Sequence, residues 1–292
     1  MSGPRIAWLP DGRRLHMQHG PIDLIVEAFG APAERAAGYR QAAARFSTVL
    51  DELVGELGAL RAPSTNTPRA FDGATARRME RAACPHAGRF VTPMAAVAGA
   101  VADEVLAALV NGRELERAYV NNGGDSAIFL APGQMIRLAV AGTGHGFSDR
   151  VTIDADDPVR GIATSGWRGR SHSLGIADAV TVLAADAAAA DVAATLIANA
   201  VDLPGHPAIA RAPANTLSPD SDLGARPVTT GVGALDAAEV DTALARGLAA
   251  AETCRARGLI AAAALFLRGA RRLSGSFGAI PAEAFQGDLL DA

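Results

Sequence analysis

Two adjacent glycines limit how the middle of this chain can fold. Gly123 and Gly124 stand between a strand-like run at residues 117–120 and a short apolar run at residues 126–130. A two-residue hairpin turn needs positive φ angles, which glycine adopts without steric cost. The stretch Asn122-Gly123-Gly124-Asp125 therefore predicts a tight antiparallel hairpin. An ordinary structural hairpin carries the same pattern, so the turn alone assigns no function.

Further strand-like segments extend this hairpin into an antiparallel sheet. Residues 5–29 alternate short apolar runs with turn residues, which predicts a meander. Later apolar runs predict strands at residues 135–140, 151–153, 160–167, 180–183 and 259–267, although the alanines of the last run also suit a helix. The glycine-rich run at 142–146 follows no strand–turn–helix pattern, so we interpret it as a loop and not as a dinucleotide-binding motif.

Helical periodicity appears between these strand-like runs. Apolar residues at spacings of three and four predict a long helix over residues 32–60, and a short charged helix is expected over 73–83. Thr92-Pro93 is a typical N-cap and first-turn pair, and it predicts a helix start before residues 95–110. Asp236 and Glu239 form a capping-box pattern that opens a helix ending near residue 257.

The chain is expected to form a single domain over residues 1–292, with its motif-bearing core at about 92–200. Residues 202–233 are rich in Pro, Asp and Ser and predict a long segment that runs over the surface or acts as a lid across the site. Residues 278–292 are expected to be a loosely held tail.

Charge and cysteine content narrow the classes of partner and chemistry. With a net charge of −4 the chain has no excess of positive charge to attract polyanions, so neither nucleic acid nor an anionic membrane is favoured as a partner. All 27 basic residues are Arg, which excludes a Schiff-base or P-loop lysine. Cys84 and Cys254 show no metal-ligand spacing, and no export signal or spanning segment is recognisable, so we expect a cytoplasmic protein.

Three polar residues recur every fourth position on an otherwise apolar helix at residues 187–201. They are Asp191, Thr195 and Asn199, and the spacing stacks them on one face. A carboxylate on a buried helix must be paired, protonated or bound to a metal. Because the chain has no Lys and this helix has no Arg, Mg²⁺ is a candidate, since it prefers carboxylate and hydroxyl oxygens. The alternative is that these residues form the solvent-exposed face of an Ala-rich helix.

Other polar residues could contact a ligand, and each has a plain structural alternative. Asp125 could bind a ligand or cap its own turn. Thr164 and Ser165 beside Gly166 offer hydroxyls and backbone N–H groups to phosphate, or form an ST-turn. His172 could act as a general base, or it could contact pyrophosphate alongside Arg170, whose guanidinium binds phosphate in a bidentate fork; the plain alternative is a surface histidine.

Five of these motifs, in this order, resemble the ApbE superfamily of Mg²⁺-dependent FAD:protein FMN transferases, and more closely an uncharacterised ApbE-like branch without an export signal. The matching stretches are Ala98-Gly99-Ala100-Val101-Ala102-Asp103, Asn122-Gly123-Gly124-Asp125, Ala163-Thr164-Ser165-Gly166, Ser171-His172 and Ala190-Asp191-Val192-Ala193-Ala194-Thr195.

The resemblance implies an α+β fold in which antiparallel sheets are flanked by helices, with an ApbE-like, T-fold-like architecture. It implies FAD in a cleft, Mg²⁺ held by Asp191 and Thr195, and transfer of FMN from FAD to a protein threonine. The catalytic residues would be His172 and Asp191. The cofactor would contact Asn122, Gly123, Gly124, Asp125, Thr164, Ser165 and Arg170.

Two departures from the family pattern leave the activity open. Ala98 stands where the transferases have a lysine, and the family's Asp-Pro partner is missing after His172 or displaced to Asp178. One interpretation is an enzyme, either an FMN transferase or an FAD pyrophosphatase. Another is a flavin- or nucleotide-binding protein without transferase activity, and a third is a structural assembly module. A homodimer is expected in each case.

Overall fold

A nine-stranded antiparallel sheet forms the centre of the fold. The computed structural model describes residues 3–139, 150–169 and 171–277. The strands of the described residues are β1 (Arg5–Trp8), β2 (Leu15–His19), β3 (Ile22–Gly30), β4 (Leu115–Asn122), β5 (Asp125–Leu130), β6 (Met135–Ala139), β7 (Arg150–Asp154), β8 (Gly161–Ser165), β9 (Ala179–Ala184), β10 (Ile209–Pro213), β11 (Pro227–Val232), β12 (Ala262–Leu267) and β13 (Ala270–Ser274). The large sheet has the order β1-β2-β3-β4-β5-β8-β9-β12-β13, while β6-β7 and β10-β11 form separate two-stranded sheets.

Four of the helices, α1, α4, α5 and α7, pack on the large sheet. The helices of the described residues are α1 (Pro32–Gly55), α2 (Leu57–Leu60), α3 (Ala74–Ala83), α4 (Val97–Val110), α5 (Ala187–Ala200), α6 (Ala214–Leu217) and α7 (Ala237–Ala256), with 3-10 turns at Cys84–His86 and Pro93–Ala96. Alternate side chains of the strands, such as Val26 and Val120, are fully buried with residues of α1 and α4 in one apolar core. A second core joins β9 and β12 to α5 and α7. The α+β class, with antiparallel sheets flanked by helices, is confirmed.

The central hairpin has the predicted geometry. Asn122 pairs with Asp125 across a two-residue turn, and the φ angles of Gly123 and Gly124 are 66° and 131°. The N-terminal meander is also confirmed, because β1, β2 and β3 pair in sequence. The run predicted at 259–267 is a strand, but it begins at Ala262 and is not the last one, because β13 follows it at the edge of the sheet.

The long N-terminal helix differs from the prediction of one helix over residues 32–60. It ends at Gly55, and a separate turn of helix follows at Leu57–Leu60. Glycine is a poor helix former, which favours a break there. The carboxylate of Glu56 at the break accepts hydrogen bonds from the backbone N–H groups of Asp72 and Gly73, at 2.7 and 3.0 Å.

The start predicted at Thr92-Pro93 is a 3-10 turn that leads into α4, and the Thr92 side chain does not cap it. Residues 93–110 together are long and apolar enough to cross a membrane by length and composition. In the structure half of this stretch is buried, and α4 packs against α1, α5 and the sheet.

Three glycines let the backbone of neighbouring elements approach both ends of α5. Two of them lie where α5 begins: a Cβ atom added at Gly99 would lie 2.1 Å from the backbone of Ala187, and one added at Gly161 would lie 2.1 Å from the backbone of Asp186. A Cβ atom added at Gly175 would lie 2.1 Å from the carbonyl oxygen of Ala198, where α5 ends. These contacts are too short for any side chain, so α5 is held at both ends by backbone packing.

Residues 202–233 contain regular structure. Strands β10 and β11 form a hairpin, and α6 lies in the connection between them. Ala214 N–H and Asn215 N–H donate to the carbonyl oxygens of Arg226 and Gly224, which closes the connection on itself. The expected loop at 142–146, the tail at 278–292 and Arg170 lie outside the described residues.

Candidate functional site

The polar face of α5 lines a cleft of about 410 Å³. Asp191, Thr195 and Asn199 share this cleft with the tip of the β4–β5 hairpin and with the end of β8. The cleft also contains the predicted residues Asn122, Gly123, Asp125, Thr164, Ser165 and His172. The structure therefore brings together residues that are up to 77 positions apart in sequence, from Asn122 to Asn199.

Hydrogen bonds fix the hairpin to its neighbours. Asp125 Oδ1 accepts from the backbone N–H of Thr164 at 3.1 Å, so this carboxylate bridges the hairpin to β8. Asn122 Nδ2 donates to the carbonyl oxygen of Ala98 at 3.1 Å. The Thr164 hydroxyl lies 2.8 Å from the hydroxyl of Thr181. The expectation that Thr164 offers a free backbone N–H to phosphate is therefore wrong, because Asp125 occupies that donor.

Asp191 is a half-buried carboxylate close to a second one. Its Oδ2 accepts a hydrogen bond from the backbone N–H of Gly99 at 3.0 Å. Burial, and next the negative charge of Asp125, raise the pKa of Asp191 well above the usual value for aspartate. Both causes disfavour the charged form, so a cation placed between the two carboxylates would stabilise them.

Asn199 positions the loop that carries His172. Its side-chain oxygen accepts from the backbone N–H of Leu174 at 2.8 Å and from the hydroxyl of Ser173 at 3.2 Å. His172 Nε2 lies 3.0 Å from the hydroxyl of Ser218, which belongs to the 202–233 segment. Asn199 thus holds the residues that follow His172, and Ser218 contacts the ring itself at the edge of the cleft.

The 202–233 segment forms one wall of the cleft. Ser218, Ser221, Asp222 and Leu223 line it, and the Thr92 hydroxyl donates a hydrogen bond to the Asp222 carboxylate. Sequence reasoning did not identify Thr92, Ser218 or Asp222 as site residues. Thr92 and Asp222 are 130 positions apart, and no local pattern relates them.

The described residues that line the cleft include three carboxylates and no Arg side chain. The carboxylates belong to Asp125, Asp191 and Asp222. A cation bound in the cleft would offset the negative charge of these carboxylates and so favour an anionic ligand. Among the described residues no group of three or more His, Cys, Asp or Glu side chains is arranged to hold a metal. A Mg²⁺ ion would therefore complete its six ligands with water or ligand oxygens, as Mg²⁺ usually does.

Some predicted residues lie elsewhere. Gly124 lines a larger cavity of about 980 Å³ on the open face of the sheet, which shares Gly123 and Thr164 with the cleft. Arg170 is outside the described residues. Asp178 is not among the residues that line the cleft, and it accepts hydrogen bonds from Trp167 Nε1 and from the backbone N–H of Arg268, at 3.2 and 2.6 Å.

Comparison with known proteins shows one family match and several partial relatives. The family model described as AbpE bacteria matches residues 6–273. A UPF0280 protein of Methanopyrus kandleri is 40% identical over 133 residues, which is 45% of this chain and 52% of that protein. A UPF0280 protein of Methanothrix thermoacetophila is 39% identical over 112 residues, or 38% and 46% of the two chains. The chain thus spans about half the length of the curated relatives it matches.

Solved structures show a weaker similarity. The apo form of the flavinyl transferase ApbE of Pseudomonas stutzeri is 12% identical with a TM-score of 0.44, and the match covers 96% of this chain and 99% of that one. The flavin transferase ApbE of Vibrio cholerae is 14% identical with a TM-score of 0.41, and the match covers 93% of this chain and 98% of that one.

Proposed function

Because this chain belongs to the bacterial AbpE family, we propose that it is a Mg²⁺-dependent, FAD-binding protein that transfers FMN from FAD to a threonine of a target protein. The observation that carries this proposal is the position of Asp191 and Thr195, one helical turn apart on α5 and facing the same cleft as the Asn122–Asp125 hairpin and His172. We place the protein in the cytoplasm, where its two free cysteines would stay reduced.

The residues of the cleft fit a bound cation. Asp191 and Thr195 supply one carboxylate and one hydroxyl oxygen to the cleft, and a cation beside them would favour the charged form of Asp191, which burial and the charge of Asp125 disfavour. Bound Mg²⁺ would neutralise charge on the pyrophosphate of FAD and so act as a Lewis acid.

The remaining residues would position the ligand and accept a proton. The hairpin residues Asn122 to Asp125 would shape the floor under the nucleotide, with Ser165 at the end of β8 beside them. The threonine oxygen of the target forms a bond to the FMN phosphorus, the bond from that phosphorus to the AMP oxygen breaks, and AMP leaves with its electron pair. His172, fixed by Ser218, would take the proton of the threonine hydroxyl.

The test is AMP release from FAD by the purified protein with Mg²⁺ and a threonine-containing target peptide. The wild-type protein should release AMP and label the peptide with flavin, and chelation of Mg²⁺ should stop both. Asp191→Asn and Thr195→Ala should each lower the rate at least about a hundredfold, as expected when a charge-stabilising group is lost. Asp241→Asn and Thr242→Ala on α7 are matched controls outside the cleft and should keep the wild-type rate. Absence of AMP in the wild-type reaction would overturn the proposal.

Non-catalytic flavin or nucleotide binding is the second candidate function. Ala98 lines the cleft and has no charge to offer a phosphate, unlike the family lysine that the resemblance places there. A binding protein of this kind would carry flavin through purification and release no AMP. Its flavin content would also be unchanged by Asp191→Ala, whereas the transferase proposal expects that variant to lose the ligand.

A further inference from the structure

A small cavity behind the cleft has the chemistry of an anion site. It has a volume of about 170 Å³ and is lined by His86, Gly88, Arg89, Leu196, Ile197, Ala250, Thr253, Cys254 and Arg257. Leu196 lines both this cavity and the cleft, so one side chain separates them. None of the residues given a role in the proposed function lines this cavity.

Two arginines give the cavity its positive charge. Burial raises the pKa of the Cys254 thiol, and the charges of Arg89 and Arg257 act against that rise, so both guanidiniums lie near it. Arg257 Nη2 donates to the carbonyl oxygen of Pro85 at 2.6 Å, which fixes its guanidinium beside the 3-10 turn that carries His86. In the described part of the chain, neither Arg89 nor Arg257 forms a salt bridge with a carboxylate.

His86 supplies the second, independent observation. Its side chain lines the cavity, yet only 8% of the residue is exposed. Across residues 3–139, 150–169 and 171–277 its ring forms no side-chain hydrogen bond, and its nitrogens are not among the fully buried polar atoms that lack a partner, so they open to the cavity. Burial, followed by the charges of Arg257 and Arg89, lowers the pKa of His86 to about 4. A buried imidazole that forms no side-chain hydrogen bond and two guanidiniums without a carboxylate therefore face one small space.

We infer that this cavity binds a small tetrahedral oxyanion of the size of sulfate or inorganic phosphate, held by Arg89, Arg257 and His86. Guanidinium groups bind such oxygens through charge-assisted hydrogen bonds. The bound anion would also offset the two positive charges that act on His86, and it would accept a hydrogen bond from the ring. The cavity volume suits an ion of this size and excludes a nucleotide.

Sulfate is the probe for the first test, because it stays doubly charged across the working pH range. Isothermal titration at constant ionic strength, with a chelator present so that no metal is bound in the cleft, should show one sulfate per chain. Arg89→Gln and Arg257→Gln should each weaken binding by about tenfold or more, the loss expected for a charge-assisted hydrogen bond. Arg255→Gln, which changes the same charge two residues away and outside the cavity, should keep the wild-type affinity.

Two further measurements separate this site from the cleft. Asp191→Asn should leave sulfate affinity unchanged, so this result does not depend on whether AMP release is observed. The pKa of His86, followed by NMR, should rise by at least about one unit at saturating sulfate, because an anion favours the charged imidazole. No saturable binding by the wild-type protein, or equal affinities of the Arg89→Gln and Arg255→Gln variants, would overturn the inference.

Discussion

Gly99 has no room for a side chain. A Cβ atom there would lie 2.1 Å from the carbonyl oxygen of Ala187 and 2.7 Å from the backbone nitrogen of Ala188. Both neighbours are backbone atoms, so no side-chain rotation relieves the overlap. The same residue donates its N–H to Asp191, and a shift of Gly99 would therefore move the carboxylate on which the proposed cation site depends.

Gly99→Ala should lower the free energy of unfolding by more than about 3 kcal/mol, in the range of severe core substitutions. The higher helix propensity of alanine would by itself raise the free energy of unfolding by about 1 kcal/mol. A measured decrease would therefore show that the loss of close packing outweighs helix propensity. Urea denaturation followed by circular dichroism measures the change. Gly55→Ala is the control, because a Cβ atom at Gly55 meets no atom within 4 Å. A Gly99→Ala variant as stable as the Gly55→Ala variant would contradict this prediction.

Asp103 connects two elements, because this residue of α4 binds the start of α5. Its carboxylate oxygens accept hydrogen bonds from the backbone N–H groups of Ala187 and Ala188, at 3.0 and 2.9 Å. These groups are among the donors that a helix start leaves without internal partners. Burial is the largest influence on Asp103 and raises its pKa to about 6.

This shift predicts a pH dependence of stability. Because the pKa of Asp103 is raised in the folded state, the folded protein holds the proton over a range in which the unfolded chain has lost it. The stability contribution is therefore complete below about pH 4 and is lost as the pH rises through about 6. The loss is roughly 3 kcal/mol for a shift of about two pKa units.

Asp103→Asn should remove this part of the pH dependence. Urea denaturation of both proteins between pH 4 and pH 7 should show that the wild-type protein loses stability relative to the variant as the pH rises. Asp51→Asn, on the exposed side of α1, should follow the wild-type curve. Parallel curves for the wild-type protein and Asp103→Asn would show that the carboxyl group has no raised pKa.

Elements of this fold were predictable where one local pattern decides them. The glycine pair predicts the β4–β5 hairpin, and Asp236 with Glu239 predicts the start of α7, where the capping box is present. The stacking of Asp191, Thr195 and Asn199 also follows from helical spacing. The contacts Asp125 to Thr164 and Thr92 to Asp222 were not predictable, because they depend on how distant elements pack in space.

At the scale of the whole molecule, β1 and β13 are the two edge strands of the large sheet among the described residues. All four residues of β1 are exposed, and Ile6 and Trp8 keep 41% and 54% of their surface accessible. An edge strand offers unpaired backbone groups to another chain. A homodimer stays a prediction, and β1 is the edge at which a second copy would pair.

Trp8→Lys should convert a dimer into a monomer, because a charge on the edge opposes strand pairing. Size-exclusion chromatography with light scattering measures the mass. Leu273→Lys, on β13 at the opposite edge, is the matched control and should leave the dimer intact. A wild-type protein that is monomeric at high concentration, or a dimer that persists in Trp8→Lys, would rule out pairing through β1.

The backbone contacts at both ends of α5 limit which substitutions the cleft can tolerate. At Gly99, Gly161 and Gly175 an added Cβ atom would lie 2.1 Å from backbone atoms at the ends of this helix. The 202–233 wall opposite is joined to the rest of the described chain by several side-chain hydrogen bonds, among them those of Ser218, Asp222 and Arg211. Variants that reshape the cleft are therefore expected to fold more readily when they change side chains of this wall than when they replace one of the three glycines.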